Sequence, residues 1–375
     1  MGKLEVNHKE LEQILDVVWK RKRPLFIWGA PGIGKSYSVR EKAKRLAEEN
    51  KREFIEWNKT PEDIKRKALK EPEKYFFFVD IRLSQFDPSD LKGLPSLNGD
   101  DTIEWKIPGW LKLATLKNAM GIIFFDELNL APPSIQASAY QVILDKAIGD
   151  YSLSEDVLVL SAGNRIEDKA FVHDMAKPLQ NRFLHLTLRV PTVEEWTDWA
   201  IEHGIDSRII MFLNNNPSLL YKIDERSGEE AFPTPRTNEF WSDIIKDVDD
   251  INMLEKLTSI AVGTPVASQF VSFLKLQRTV NFKEILENPK KVKEIKDEDI
   301  DLKYAVLSIA VEYYRKKPGK ERLKKVFDIA NNLEPVEFSI LLLRTVKGVS
   351  PRVFMQNLKT IPGMMDWVKR NLQYL

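Results

Sequence analysis

The sequence predicts an α/β chain, with a mainly parallel β-sheet wrapped by helices in its first half and helices alone in its second half. Apolar runs separated by helical stretches recur at residues 25–28, 75–81, 121–125, 157–162 and 184–188. The run at 121–125 shows no polar alternation, as expected of a strand that is buried on both faces. After residue 190 the pattern changes to long amphipathic segments without strand signals.

Composition sets the outer limits. The chain has 375 residues, more than a single hydrophobic core usually holds, so two or three domains are predicted. Its hydrophobic fraction of 43% is enough to bury a sizeable interior. Its charges nearly cancel, at +1 overall, so bulk charge offers little attraction to nucleic acid or to an anionic membrane. The absence of cysteine excludes disulfides, thiolate metal sites and a cysteine nucleophile.

The sequence contains no stretch of roughly 20 apolar residues, the length that a bilayer span requires. The first residues are polar and charged rather than apolar, so a secretory leader is not expected either. We therefore expect a cytoplasmic protein without a membrane span.

The most informative segment directly follows the apolar run at 25–28. It spells the pattern G-x-x-x-x-G-K-[ST] in Gly29, Ala30, Pro31, Gly32, Ile33, Gly34, Lys35 and Ser36. Glycines let the backbone curl so that successive N–H groups point inward, the lysine reaches the β- and γ-phosphates, and the hydroxyl is offered to Mg²⁺. A helical pattern follows, whose positive N-terminal end would face the phosphates. The segment predicts a nucleotide-phosphate site.

An acidic pair, Asp126 and Glu127, stands at the end of the apolar run at 121–125. In a phosphate-loop enzyme an acid at this place holds Mg²⁺, and a neighbouring carboxylate orients or deprotonates the attacking water. We predict that Asp126 is the metal residue and Glu127 the base. A solvated acidic turn is the alternative.

An amide side chain, Asn164, lies at the end of the run at 157–162. It can there face the γ-phosphate or its water, although asparagine is also an ordinary turn residue. Two arginines are further candidates. Arg182 stands just before the run at 184–188, where its guanidinium suits delivery into a neighbouring subunit's site, and Arg236 follows a proline that can begin a helix. For Arg182 a plain surface arginine is the alternative.

The order of these motifs resembles the MoxR-type AAA+ ATPases, in the branch that carries an insert in the second helix. The similarity covers roughly residues 20–245, and the closest subgroup is the one encoded beside proteins with a von Willebrand factor type A-like domain. The resemblance rests on Gly29–Ser36, Asp126-Glu127-Leu128-Asn129, Ala131-Pro132-Pro133 with Gln136, Ala162-Gly163-Asn164-Arg165, Leu179-Gln180-Asn181-Arg182-Phe183 and Pro233-Thr234-Pro235-Arg236.

The resemblance implies a hexameric ring with ATP bound between subunits. The phosphate loop and Tyr37 would bind the nucleotide, Ser36 and Asp126 would hold Mg²⁺, and Glu127 would activate water. Asn164 takes the sensor-1 role, Arg182 that of the arginine finger and Arg236 that of the sensor-2 arginine. The choice of ATP over GTP comes from the family alone. Leu130 stands where many family members have an arginine, so the contact of that arginine is not carried over.

Three domains are predicted. Residues 1–191 form the nucleotide-binding α/β core, with a helix-2 insert at about 94–110 and a second insert before the sensor strand at about 146–156. Residues 192–285 form an α-helical lid, and residues 286–375 a helical C-terminal extension, divided at the Lys- and Glu-rich stretch 281–301. The first insert reads as a β-hairpin and the second could be another, and exposed hairpins can act on a partner. Plain surface decoration is the alternative.

Three functions compete. The first is an ATP-driven, chaperone-like remodelling or assembly factor that works on a protein client with a von Willebrand-like partner. The second is a nucleotide-driven nucleic-acid machine related to restriction GTPases, for which the near-neutral charge gives little support. The third is a nucleotide-gated scaffold with slow hydrolysis, which the presence of Glu127 and Arg182 argues against.

Overall fold

The protein is described by a computed structural model that covers residues 4–97, 103–148, 151–165, 175, 177–223 and 228–371. These residues form two compact units, the first ending at Val190 and the second beginning at Pro191. None of the helices in the described part of the chain combines the length and the apolar character needed to cross a bilayer.

The first unit contains all the strands of the described residues. In chain order they are β1 (Glu5–Val6), β2 (Leu25–Trp28), β3 (Glu53–Glu56), β4 (Tyr75–Arg82), β5 (Leu94–Leu97), β6 (Ile103–Lys106), β7 (Met120–Asp126), β8 (Ala147–Ile148), β9 (Tyr151–Ser152), β10 (Val157–Gly163) and β11 (Leu184–Leu188). Seven of them form one parallel sheet in the order β1-β11-β2-β10-β7-β4-β3. The remaining strands form two antiparallel hairpins, β5-β6 and β8-β9.

Helices connect the parallel strands, as parallel pairing requires. They are α1 (His8–Arg21), α2 (Lys35–Glu49), α3 (Glu62–Lys70), α4 (Pro88–Lys92), α5 (Gly109–Thr115), α6 (Pro133–Leu144) and α7 (Lys177–Gln180). Helix α1 begins with a capping box, in which Asn7 and Glu10 each accept a hydrogen bond from the other's backbone N–H. The central strands are apolar on both faces, and Phe77, Ile123 and Val159 are buried.

The second unit is helical. It consists of α8 (Val193–Glu202), α9 (Ser207–Asn215), α10 (Pro235–Ile245), α11 (Ile251–Val262), α12 (Thr264–Thr279), α13 (Phe282–Glu287), α14 (Ile300–Arg315), α15 (Lys320–Ala330), α16 (Val336–Val349), α17 (Pro351–Asn357) and α18 (Met364–Arg370). Trp241 is fully buried and meets Phe212 and Phe270 edge to face, at centroid distances of 6.0 and 4.7 Å.

One apolar core extends through the second unit, from Val193 to Val368. It includes Ile285 and Val292, on either side of the boundary that the sequence suggests between a lid and an extension. That division of the second unit stays a prediction.

The predicted fold class, a parallel α/β sheet followed by a helical part, is confirmed, and all five apolar runs are strands. The edge strands β1 and β3 were not predicted. Strand β3 reads Glu-Phe-Ile-Glu, and two apolar residues between acids are too short a pattern to identify a strand that has a neighbour on one side only. Its pairing with β4 supplies what the pattern lacks.

The close packing of the sheet makes Gly121 on β7 a test of the fold. A Cβ at this position would lie 2.3 Å from the carbonyl oxygen and 2.6 Å from Cγ of Phe77. We expect Gly121→Ala to lower the free energy of unfolding by about 2–3 kcal/mol, measured by urea denaturation, since the central strand cannot move aside. Gly319→Ala is the control, because no neighbouring atom of the described residues lies within 4 Å of a Cβ built there. Equal losses in the two variants would contradict this account.

Candidate functional site

The predicted phosphate loop joins β2 to α2 and has the backbone that its glycines permit. Gly32 and Gly34 have φ values of 75° and 100°, a region that side chains strongly disfavour. A Cβ on Gly29 would lie 2.7 Å from the carbonyl oxygen of Leu188, so this position is closed to larger residues. Helix α2 begins at Lys35 with no acidic residue in its first turn, which leaves its positive end directed at the loop.

Lys35 is buried, with 8% of its surface exposed, and its ammonium group makes three hydrogen bonds. Nζ donates to the carbonyl oxygens of Gly29 at 2.7 Å and Ala30 at 2.9 Å, and to Oδ1 of Asn164 at 2.8 Å. An ammonium group has three N–H donors, so these contacts use all of them. A phosphate oxygen that binds Lys35 therefore replaces one of the three acceptors. Asn164 is the one side-chain acceptor of the three, so it can turn away without moving the backbone of the loop.

Ser36 and Asp126 meet at the same point. The Ser36 hydroxyl donates to Oδ2 of Asp126 at 2.6 Å, which joins the first turn of α2 to the end of β7. Mg²⁺ in nucleotide enzymes takes few protein ligands, one or two oxygens beside phosphate and water. A hydroxyl and a carboxylate in contact beside the phosphate loop fit that requirement. No group of three or more His, Asp or Glu side chains among the described residues forms a metal site built from protein alone.

Glu127 has an unusual backbone for a non-glycine residue, with φ 55° and ψ 32°. Its backbone N–H donates to Oδ1 of Asp126 at 3.0 Å, which stabilises the turn. Its own carboxylate accepts a hydrogen bond from the Ser84 hydroxyl, with Oγ 3.0 Å from Oε2. The candidate base is thus adjacent to the candidate metal residue and is held by a side chain that follows β4.

Asn129 holds the backbone of Asn164 by a hydrogen bond. It lies in the turn after Glu127, is 3% exposed, and donates from Nδ2 to the backbone carbonyl of Asn164 at 2.6 Å. Its Oδ1 would lie 2.2 Å from a Cβ on Gly163, so the glycine provides the space that Asn129 occupies. The asparagine pair connects the ends of β7 and β10.

Asp80 is a partly buried acid on β4 whose Oδ1 has no hydrogen-bond partner among the described residues. Burial, and secondly repulsion by Asp126, raise the pKa of Asp80 from 3.8 to about 6. Arg82 and Arg40 partly oppose the rise. A group that resists ionisation therefore lies near the carboxylate assigned to the metal.

Arg182 lies at the other end of the sheet. It follows α7 and precedes β11, whose Leu184 pairs with Leu25 at the start of β2, whereas the phosphate loop follows the end of β2. The length of β2, about 13 Å at the usual rise of a strand, therefore separates the Arg182 turn from the loop of the same chain. The Arg182 side chain is exposed.

The structure brings together five of the predicted site residues, namely Lys35, Ser36, Asp126, Glu127 and Asn164. Tyr37 follows them on α2, and its role as a nucleotide contact stays a prediction. Arg236 is exposed on the first turn of α10, in the second unit, and its role also stays a prediction.

Three residues at the site were missed as functional candidates. Asn129 was noted only as part of a motif, and Ser84 was not assigned a role. Asp80 did give one, because a single acid interrupts the otherwise apolar run at 75–81. A partly buried acid inside an interior strand is uncommon enough to mark a candidate functional residue.

The strand order and the loop geometry are those of an α/β P-loop NTPase core, to which a helical unit is appended. A scan against protein-family models finds no match, and a search of curated proteins finds none either.

Solved structures similar to the chain include the Holliday junction branch migration motor RuvB of Thermotoga maritima, 15% identical, covering 90% of this chain and 86% of that one with a TM-score of 0.32. The ORC2 protein of Aeropyrum pernix is 12% identical, with 93% of each chain covered and a TM-score of 0.35. A putative ATPase from Cytophaga hutchinsonii is 14% identical, with 96% and 90% covered and a TM-score of 0.31. Similarities this low establish neither a family nor an activity.

The raised pKa of Asp80 predicts a pH dependence of stability. Between pH 3.8 and about 6 the folded chain binds the Asp80 proton more tightly than the unfolded chain, so this residue's contribution to stability falls as pH rises and is constant above that range. Asp80→Asn removes the effect. We expect the unfolding free energy of Asp80→Asn minus that of the unsubstituted chain to rise by about 1–2 kcal/mol between pH 4.5 and 7.5, measured in urea. A difference that does not change with pH would contradict the assignment.

Proposed function

We propose that this chain is a Mg²⁺-dependent AAA+ ATPase of the MoxR type. One observation supports this above all: Lys35 contacts Asn164 while the neighbouring Ser36 contacts Asp126. A cation for the β- and γ-phosphates, an amide for the γ-phosphate, and a hydroxyl and carboxylate for a divalent cation thereby lie together at one edge of the sheet. Each has the chemistry its role needs, and the loop's backbone supplies further N–H donors.

In this proposal, different residues of the chain bind the phosphates, hold the metal and activate the water. The loop and the N-terminal end of α2 bind the phosphates, and Lys35 neutralises charge on the β- and γ-phosphates. Ser36 and Asp126 would hold Mg²⁺, which neutralises developing charge on the phosphate oxygens when it is bound. Glu127 orients and deprotonates the attacking water. Asn164 gives up its contact with Lys35 and turns to the γ-phosphate.

Arg182 acts on a neighbouring subunit's nucleotide in this proposal. The Arg182 turn lies at the start of β11, whereas the phosphate loop lies at the opposite edge of the sheet, after the end of β2. The Arg182 side chain is exposed. A guanidinium so placed suits charge stabilisation in another copy of the chain. This geometry favours a ring, which we infer to be a hexamer by resemblance, with ATP between subunits.

The proposed task is remodelling or assembly of a protein client, together with a von Willebrand factor type A-like partner. Two hairpins suit contact with another chain, and β5-β6 exposes Leu94, Leu97 and Trp105. The hairpins are joined, since the Tyr151 hydroxyl donates to the Trp105 carbonyl at 3.1 Å. The near-neutral chain offers no basic surplus for a nucleic-acid substrate.

One contact favours a second function, a nucleotide-gated scaffold with slow hydrolysis. The Ser84 hydroxyl engages the Glu127 carboxylate, and a base held in this way must release that hydrogen bond before it can reach water. If release is rare, bound ATP fixes a conformation for a long time.

Glu127→Gln separates the two functions. In the ATPase this variant should bind Mg-ATP normally and lose turnover by about 10²-fold or more, because the amide cannot accept the water's proton. Steady-state phosphate release and nucleotide binding measure the two effects. Ser84→Ala is the companion variant: it should turn over at least as fast as the unsubstituted chain. In the scaffold, turnover is already negligible and Glu127→Gln does not change it, whereas Ser84→Ala raises it many-fold because the base is no longer held.

Mixed assemblies test whether the site is shared. Arg182→Ala should lose roughly 10³-fold in turnover, about 4 kcal/mol of barrier, while still binding nucleotide. Lys35→Ala should be inactive because it cannot bind nucleotide tightly. Mixing the two variants should restore activity, since a Lys35→Ala subunit still offers Arg182 to its neighbour.

The control for this experiment is each variant alone at the total protein concentration of the mixture. Turnover per subunit of the unsubstituted chain should also rise with its concentration as sites assemble. If the mixture is no more active than the sum of the separate variants, Arg182 acts within its own chain or has no catalytic role.

A further inference from the structure

A hydrogen-bonded bridge crosses the sheet between the strand that carries the phosphate loop and the turn that carries Arg182. The indole N–H of Trp28 donates to Nδ1 of His185 at 3.1 Å. On the other side of the ring, Nε2 of His185 lies 2.6 Å from the carbonyl oxygen of Gln180. Trp28 is the last residue of β2, and Gln180 is two residues before Arg182.

The bridge specifies the state of His185. An indole nitrogen can only donate, so Nδ1 is the acceptor and the ring proton is on Nε2, from which it is donated to Gln180. Both ring nitrogens are therefore used, one in each direction. A residue that only filled space between Trp28 and the turn would need neither.

Aromatic packing holds the bridge from the side. Phe26 lies 4.3 Å from the Trp28 ring and 5.4 Å from the Phe183 ring, measured between centroids, and Phe183 meets it edge to face. The Gln180 side chain donates to the Met175 carbonyl at 2.9 Å, and the Arg182 N–H donates to the Leu179 carbonyl at 3.1 Å. The backbone on both sides of Arg182 is thus attached, while the Arg182 side chain remains exposed.

We infer that His185 is a positioning residue for Arg182: it fixes the Arg182 turn on β2 so that the guanidinium reaches a neighbouring subunit's nucleotide. This inference rests on the proposed function. Arginine has a long side chain with many rotamers, and a contact made in the transition state tolerates little displacement of the backbone that carries it. A hydrogen bond to the carbonyl at the start of the turn restricts that displacement.

The test measures finger delivery apart from a subunit's own hydrolysis. Arg182→Ala subunits, with intact phosphate loops, are mixed with donor subunits that carry Lys35→Ala and so can supply only Arg182. The donor is then given a second substitution, His185→Phe, which keeps a stacking ring and removes both hydrogen bonds. We expect the turnover restored by this donor to be about tenfold lower than with Lys35→Ala alone.

Further donors identify the hydrogen bonds as the cause. Trp28→Phe removes only the indole N–H and should reduce the restored turnover as His185→Phe does. His185→Gln retains one acceptor and one donor and should recover most of it. The matched control is His203→Phe, in the second unit, because His203 also stacks on a tryptophan, Trp199, at 4.4 Å. It should restore turnover as fully as the donor with Lys35→Ala alone.

Nucleotide affinity distinguishes the positioning of Arg182 from a purely structural role for His185, which would lower affinity and kcat together. If His185 positions Arg182, His185→Phe in an otherwise unsubstituted chain should lower kcat and leave the affinity for a fluorescent ADP analogue unchanged, because the hydrogen bonds it removes go to Trp28 and Gln180, neither of which is assigned to the nucleotide. A loss of affinity equal to the loss of kcat would overturn the inference. Equal restoration by the donors with and without His185, or equal defects in the Phe and Gln variants, would overturn it too. Failure of every donor, including Lys35→Ala alone, would instead contradict the shared site.

Discussion

The site depends on the parallel register of three strands, with β10 hydrogen-bonded between β2 and β7. Leu160 is level with Leu25 on one side and with Phe124 on the other. Continuing that register places Asn164 beside the start of the phosphate loop and Asp126 one strand away. A slip of one residue would turn each side chain to the opposite face, and Lys35 and Asn164 would lose each other.

This alignment leaves no space for a side chain at two positions near the carboxyl edge of the sheet. Gly163 leaves room for Asn129, whose amide holds the Asn164 backbone, and Gly29 leaves room for the Leu188 carbonyl. Gly163, the last residue of β10, and Gly29, just after β2, therefore serve one purpose: they let a polar partner approach the backbone closely. A phosphate site needs this closeness, because its donors are largely backbone N–H groups.

The charges near the site are arranged at a cost in stability. Asp80 is held near Asp126 in partly buried surroundings, where burial and repulsion both oppose its ionisation. A bound cation would reduce the repulsion between the two acids. The Trp28–His185–Gln180 contacts, which run from the end of β2 to the Arg182 turn, use neutral groups, so the turn is held without a charge that would compete for its guanidinium.

The amino-acid sequence by itself determined the fold class, the five central strands and the phosphate and acidic motifs, because these depend on local patterns: buried runs, loop glycines and residues at strand ends. Only the tertiary structure decided which of these residues meet. The contacts of Lys35 with Asn164, Ser84 with Glu127 and Trp28 with His185 join residues 129, 43 and 157 positions apart, respectively. No local pattern encodes such pairs, since strand order and register create them. The edge strands β1 and β3 could not be predicted for the same reason, because their pairing with β11 and β4, rather than a local residue pattern, defines them.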